Sequence, residues 1–172
     1  PPSVHHPTLL YSYASGVVNH THVKKRVSGE LIRPSFIDGN RVTSSGTEAF
    51  SKCTSLTNVT IANGVTSIGE GAFWGCTSLT SITIPDSVTS IGDVAFYDCT
   101  SLTSITIPDG VTTIGDYAFS RCSALTTIAV GGGNVNYAGV NGVLFNAKMT
   151  LLHTYPAGKK DPNYANPDSN TR

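Results

Sequence analysis

The stretch CTSLTSITIPDSVTSIGDVAFYDC, residues 76–99, begins and ends on cysteine, and nearly the same letters follow again from Cys99. The spacing of 23 residues between these two cysteines is kept along much of the chain. The side chains that share it include Cys53, Cys76, Cys99 and Cys122, Phe50, Phe73, Phe96 and Phe119, and Leu56, Leu79, Leu102 and Leu125. A fixed period of this length predicts stacked structural units, in which each repeated position forms a continuous row of like side chains.

The order of apolar residues predicts the local structure of one unit. In SITI, residues 81–84, isoleucines alternate with hydroxyl residues, as in a strand that buries one face. Pro85 and Asp86 end this strand, and a second extended piece follows. In DVAFYDC, residues 93–99, apolar side chains recur three or four residues apart, which predicts a short helix capped by Asp93.

Four units are legible between about Phe36 and Val130, and Ser45 in the first stands where later units carry isoleucine. A single unit buries too little apolar surface to offset an ordering cost of roughly 1 to 2 kcal/mol per residue. We therefore expect stability to come from stacking, which pairs the strands at about 4.8 Å.

The pattern IPDSVTSIGDVAFYDCTSLTSI, residues 84–105, resembles the BspA-like class of leucine-rich repeats, and the resemblance covers about residues 47–130. The segment GGGNVNYAGVNGVLFNAKMTLLHTYPAGK, residues 131–159, is similar to the β-hairpin that interrupts or follows the repeats in that family. The predicted fold class is an α/β solenoid of parallel strands and short helices, with a C-terminal β-hairpin flank.

Three regions are predicted from these patterns. Residues 1–35 form an N-terminal extension that supplies one or two strands, residues 36–130 form the repeats, and residues 131–172 form the flank and a polar tail. In the tail, NPDSNT (residues 166–171) reads like IPDSVT with both apolar residues replaced by asparagine, so the apolar rows are expected to stop near Ala157. The tail is either a polar ending or part of a longer chain.

Composition argues against two classes of partner. Eleven Lys and Arg residues balance eleven Asp and Glu residues, so no net field attracts nucleic acid or an anionic bilayer. No apolar run reaches the roughly 18 residues that span a membrane, and the first residues lack the order of a signal peptide. A charged content of 13% is low, and a surface rich in Ser, Thr, Asn and Gly is typical of secreted and surface repeat proteins.

Reactive side chains do not form a recognisable catalytic motif. The thiols are predicted to pack as a buried apolar row, with disulfide formation between neighbours as the alternative. No cofactor or metal site is predicted, because no CxxC or HxxxH spacing exists and His5, His6, His20 and His22 have no acidic or cysteine partner. An enzyme would need a converging polar constellation that the repeats do not contain.

Two surfaces are candidates for binding. Trp74, Tyr97 and Tyr117 are predicted to form a partly exposed aromatic strip that suits a protein or glycan, although packing against neighbouring units explains them equally well. On the strand face, Ser81, Thr83, Ser104 and Thr106 belong to hydroxyl rows. These rows are either a solvated face, a partner-binding face or an array that orders water.

Two N-x-[ST] sequons, at Asn19 and Asn58, are glycosylation acceptors if the chain is secreted by a eukaryote. The resemblance implies a non-enzymatic scaffold, extracellular or on a cell surface, that works in adhesion or ligand binding. The alternative is a structural subunit of a surface filament, assembled head-to-tail through the N-terminal segment and the open ends of the stack.

Overall fold

A computed structural model describes residues 43–160 in full, and before them only five strands as backbone. These five are β1 (Ser12–Ala14), β2 (Val17–Asn19), β3 (Gly29–Ile32), β4 (Phe36–Ile37) and β5 (Asn40–Arg41). The repeats contain β6 (Leu56–Thr60), β7 (Ser67–Ile68), β8 (Ser81–Thr83), β9 (Ser90–Ile91), β10 (Ser104–Ile107), β11 (Thr113–Ile114) and β12 (Thr127–Val130). The C-terminal flank contains β13 (Tyr137–Val140), β14 (Val143–Asn146) and β15 (Leu152–Thr154).

One side of the stack is a column of parallel strands. β6 pairs in parallel with β3 and with β8, β10 pairs in parallel with β12, and β8 lies beside β10. Residues 23 apart face each other in register, as Val59 faces Ile82 and Ile105 faces Ile128. Because side chains alternate along a strand, this register sends every apolar row inward and every hydroxyl row outward.

A second side is formed by the short parallel strands β7, β9 and β11. The glycine after each isoleucine of this column allows successive units to approach closely. A Cβ atom at Gly92 would lie 2.6 Å from the backbone nitrogen of Glu70. In the first unit Ser45 is buried, and its hydroxyl oxygen accepts a hydrogen bond of 3.0 Å from the Gly69 amide, so this position keeps its contact to the next unit without isoleucine.

The third side is built from turns, so the predicted short helix is wrong for residues 43–160. Val94 and Asp98 have φ angles of 47° and 61°, in the left-handed region that ends a right-handed helix. Alternate amides bond within the turn, as from Tyr97 to the Val94 carbonyl at 3.0 Å. The amides between them bond to the following unit, as from Phe96 to the Ala118 carbonyl at 2.8 Å. A helix would direct both sets of amides within one unit and leave neighbouring units without backbone bonds on this side of the stack.

The core is a set of side-chain rows that run along the stack. Adjacent rings in the row Phe50, Phe73, Phe96 and Phe119 are parallel within 9°, with centroids 5.2, 5.4 and 5.7 Å apart. The cysteine and leucine rows are buried beside them. Each apolar row continues through the units, and this continuity provides the burial that one unit lacks.

The main strand column is extended at one edge and covered at the other. At its N-terminal edge β3 pairs with β6, and beyond β12 the antiparallel sheet β13–β14–β15 packs on the last unit. Asn134 joins the flank to the repeats, because its Nδ2 donates to the carbonyls of Pro108 and Val111 at 2.8 and 3.0 Å. Its Oδ1 accepts from the amides of Asn136 and Tyr137 at 2.8 and 2.9 Å.

Several predictions concern residues outside the described ones. They are the predicted lack of a metal site at His5, His6, His20 and His22, the side chain of the Asn19 sequon, and the NPDSNT segment of residues 166–171. Over the described part of the chain, no helix has the length and apolar character needed to cross a membrane.

Candidate binding surfaces

The four thiols lie in one buried row and are free. The Sγ atoms of Cys76, Cys99 and Cys122 donate to the carbonyls of Phe50, Phe73 and Phe96 at 3.1, 3.2 and 3.1 Å. Burial raises the pKa of Cys76 and of Cys122 from 9.0 to about 12. Because the thiolate is the nucleophile, such thiols do not support covalent catalysis near neutral pH.

His153 lies in the flank, where its ring meets the Tyr137 ring edge-on with centroids 5.5 Å apart. Burial lowers the pKa of His153, and its contacts with the Ile114 backbone and the Asp116 charge only partly oppose this. Within residues 43–160 and the five earlier strands, no three His, Cys, Asp or Glu residues lie close enough together to hold a metal ion.

The predicted hydroxyl rows lie on the outer face of the main strand column, where Ser81, Thr83, Ser104 and Thr106 are exposed. Register places Asn58 opposite Ser81 and Ser104 opposite Thr127. The Ser81 hydroxyl donates to Asn58 Oδ1 at 2.6 Å, so part of this face satisfies its own hydrogen bonds. Glycosylation at the exposed Asn58 stays a prediction.

Trp74 and Tyr97 occupy equivalent positions in successive units, and both are half-buried. Their rings meet edge-on, with centroids 6.5 Å apart. The Lys52 ammonium lies 5.0 Å from the Trp74 ring centroid, and the Arg121 guanidinium lies 5.7 Å from the Tyr97 centroid. These four residues, which we call the cation–aromatic cluster, therefore join four successive units.

Sequence reasoning missed the two cations of this cluster, although the repeat positions of Lys52 and Arg121 indicate them. Lys52 and Arg121 fall in the repeat position one residue after the aromatic one, in the units that flank Trp74 and Tyr97. Tyr117 is a different case, because it is 71% exposed and lies at another position of its unit. The structure thus brings Trp74 and Tyr97 together.

Tyr117 lines a cleft of about 500 Å³ at the C-terminal end of the stack. One wall is the turn segment of the last unit, residues 115–120, and the other is residues 151–155, which include β15. No sequence pattern indicates this cleft, because it lies between segments that are more than 30 residues apart in the chain.

Parallel strands stacked at a constant interval over rows of phenylalanine and leucine define a leucine-rich repeat fold. Residues 38–151 match the BspA type leucine rich repeat region in six copies. The chain belongs to this family, and the match continues past Val130 into the flank.

Solved bacterial structures share the fold. The chain is 30% identical to the pneumococcal vaccine antigen PcpA, with a TM-score of 0.69 over 75% of this chain and 32% of that one. A leucine-rich repeat protein from Bacteroides capillosus is 29% identical, with a TM-score of 0.60 over 70% of this chain and 91% of that one. The T. pallidum protein TpLRR is 28% identical, with a TM-score of 0.57 over 70% and 67% of the two chains.

The chain therefore spans about a third of the length of the pneumococcal antigen. A comparison with proteins of curated function finds no match.

Proposed function

We propose that this protein is a non-enzymatic scaffold, extracellular or at a cell surface, that binds a protein or glycan partner. Its similarity to a pneumococcal vaccine antigen supports a surface location. A non-enzymatic role is supported by the buried thiol row, in which burial raises the pKa of Cys76 and Cys122 and favours the unreactive thiol.

The cation–aromatic cluster is the observation that carries the proposed binding role. Lys52 and Arg121 are exposed, while Trp74 and Tyr97 keep part of their surface open beside them. Aromatic and arginine side chains in one patch are the types that dominate binding energy at interfaces. The positive charges above the rings suit a partner that carries carboxylate or sulfate groups, on an acidic peptide or an acidic glycan.

The cluster can be tested with arrayed sulfated and sialylated glycans and with acidic extracellular matrix proteins. For a partner found in this way, the double variant Trp74→Ala/Tyr97→Ala should weaken binding at least tenfold, since the contact area of both rings is lost. The variant Lys52→Gln/Arg121→Gln removes only exposed charge, so it should weaken binding, reduce its salt dependence and leave the melting temperature nearly unchanged.

The strand face provides the matched control. Ser104→Ala/Thr106→Ala changes two exposed hydroxyl residues on another side of the stack and should leave the affinity within twofold of the parent. Unchanged binding by both cluster variants, with loss in the strand-face variant, would transfer the role to the hydroxyl rows.

The alternative is a filament subunit joined head-to-tail. Packing of the flank on β12 covers the C-terminal edge of the main strand column within one chain, while β3 is the terminal strand at the other edge among the described residues. The covered C-terminal edge favours the scaffold, because an open strand edge is what templates pairing with another molecule. Light scattering over a hundredfold range of concentration should show one constant mass, whereas a mass that grows with concentration favours the filament.

A further inference from the structure

The turn side of the stack is held together by a ladder of backbone hydrogen bonds. In each of the first three units, the amides of three alternate residues donate to the carbonyls of the following unit. These donors are Glu48, Phe50 and Lys52, then Gly71, Phe73 and Gly75, then Val94, Phe96 and Asp98, and all nine distances lie between 2.6 and 3.0 Å.

The equivalent donors of the last unit are the amides of Tyr117, Phe119 and Arg121. Among the residues that the structure describes, none of these three amides donates to a protein acceptor. Tyr117 and Arg121 keep the left-handed φ angles of their position, 56° and 60°. The backbone of the last unit therefore has the same conformation as in the earlier units. Its three alternate amides point in the direction in which the amides of each earlier unit meet the following unit.

The cleft beside Tyr117 lies on this open side. Residues 151–155 form its far wall, and its volume of about 500 Å³ suits a single segment of chain. Of the five exposed large apolar side chains among residues 43–160, two line the cleft, Tyr117 at 71% and Leu151 at 63%. Proteins capture peptides by backbone pairing at exposed sheet edges, with pockets for side chains. Here an unpaired donor row and exposed apolar side chains lie together on the turn side of the stack.

We propose that this cleft binds a segment of a partner protein in the turn conformation of the internal segments. Carbonyl oxygens of alternate residues in that segment accept hydrogen bonds from the amides of Tyr117, Phe119 and Arg121. One apolar side chain of the segment packs between Tyr117 and Leu151. The three sets of hydrogen bonds between units provide the precedent, because in each set the equivalent amides donate to the carbonyls of a neighbouring backbone segment. The inference adds a second site to the proposed scaffold, which shares one residue with the cation–aromatic cluster: Arg121 supplies its backbone amide to the donor row and its guanidinium to the cluster.

The first test measures amide hydrogen exchange in the isotope-labelled full chain by NMR. Without a ligand, the amides of Tyr117, Phe119 and Arg121 should exchange at least a hundredfold faster than those of Phe73 and Phe96, which occupy bonded positions of the same ladder. Slow exchange that persists on dilution would show that the chain covers its own donors, and slow exchange that appears only at high concentration would assign the cleft to a second copy. Either result contradicts the proposal.

The second test adds the acetylated and amidated peptide GDVAFYD, a copy of residues 92–98. In the folded chain the carbonyls of Asp93, Ala95 and Tyr97 accept the hydrogen bonds from the preceding unit. The peptide should slow exchange of the three open amides at least tenfold and shift their resonances. The reversed peptide DYFAVDG should have no such effect. Shifts confined to residues outside the cleft overturn the proposal.

Two exposed residues of the same connection provide matched variants. Leu151→Asn should weaken peptide binding about fivefold or more, because it removes one apolar wall of the cleft. Met149→Asn should not change it, since Met149 is 59% exposed and lies outside the cleft lining. Trp74→Ala/Tyr97→Ala should also leave peptide binding intact, so failure of this site and failure of the cation–aromatic cluster are distinguishable. Equal effects of Leu151→Asn and Met149→Asn contradict the assigned contact.

Discussion

Each cysteine after the first in the repeat has its thiol against the carbonyl oxygen of a phenylalanine in the preceding unit, at 3.1 to 3.2 Å. A thiol packs as a small apolar group and donates a weak hydrogen bond, so it suits a site that is buried and yet contains a carbonyl. Each of these carbonyls also accepts a backbone amide of its own unit, so an alanine would remove the second, weaker of its two hydrogen bonds, and a serine would bury a more strongly hydrated group.

The thiol row predicts how stability depends on alkaline pH. Burial raises the pKa of Cys76 and Cys122 from 9.0 to about 12. The folded state therefore holds these protons more tightly than the unfolded chain does. Their contribution to the free energy of unfolding is fully present below pH 9 and is lost as the pH rises from about 9 to about 12.

Urea denaturation under reducing conditions between pH 7 and pH 11 measures this effect. The variant Cys76→Ala/Cys122→Ala should be less stable at pH 7 but should lose less stability toward pH 11, because two of the responsible protons are absent. Parallel stability curves for the parent and the variant would contradict the assignment.

Among the structural elements, the turn segment is where local pattern and structure diverge. Apolar residues spaced three and four apart are compatible both with a short helix and with a run of consecutive turns. The segment forms turns because it lies between two neighbouring segments of the same kind, whose carbonyls and amides accept and donate alternate bonds. Gly71 and Gly75 indicate left-handed positions in one unit, while the equivalent Val94 and Asp98 give no such signal.

The glycine column sets how closely these elements stack. Gly92→Ala should lower the free energy of unfolding by about 3 kcal/mol, because the added Cβ would lie 2.6 Å from the Glu70 nitrogen and 2.8 Å from the Gly69 carbonyl carbon. These are backbone atoms of the neighbouring segment, so no flexible side chain can move away to make room.

Gly132→Ala is the matched control, since nothing lies within 4 Å of its added Cβ, and its effect should be within about 0.5 kcal/mol of zero. Thermal or urea unfolding of both variants compares them. A stable Gly92→Ala protein would mean that successive units are farther apart than described.

For the molecule as a whole, the flank is the part that repetition does not explain. Its antiparallel sheet closes the end of the main strand column, and Leu144 is fully buried in the common core. The Gly158 amide donates to the Leu125 carbonyl at 2.8 Å and returns the chain to the last unit. Flank and repeats are therefore expected to unfold together.

The single side chain of Asn134 provides much of this coupling. Asn134→Ala removes four hydrogen bonds and should lower the free energy of unfolding by about 2 kcal/mol. The largest loss of amide exchange protection should fall at the start of β13, whose Tyr137 amide donates to Asn134 Oδ1. The side chain of Asn136 makes none of these contacts, so Asn136→Ala should leave both quantities nearly unchanged. A uniform loss of protection over the repeats in Asn134→Ala would show that Asn134 does not act at the junction.

Much of the architecture follows from periodicity alone. The 23-residue spacing of Phe50, Phe73, Phe96 and Phe119 predicts one continuous row, because side chains one period apart are neighbours in any regular stack. Alternation in SITI predicts which strand face is buried, since successive side chains point to opposite faces. The contact between Trp74 and Tyr97 also follows from the period, because these two residues are 23 positions apart.

The features that depend on contacts between units are determined only by the tertiary structure. Turns replace helices because amides that a helix would use internally are bonded to the next unit, which no single unit's sequence specifies. The cleft at Tyr117 exists because residues 151–155 fold back beside the last turn segment, and the repeat period says nothing about that return. A period determines neighbours within the stack, whereas the ends of the stack are determined by segments that do not repeat.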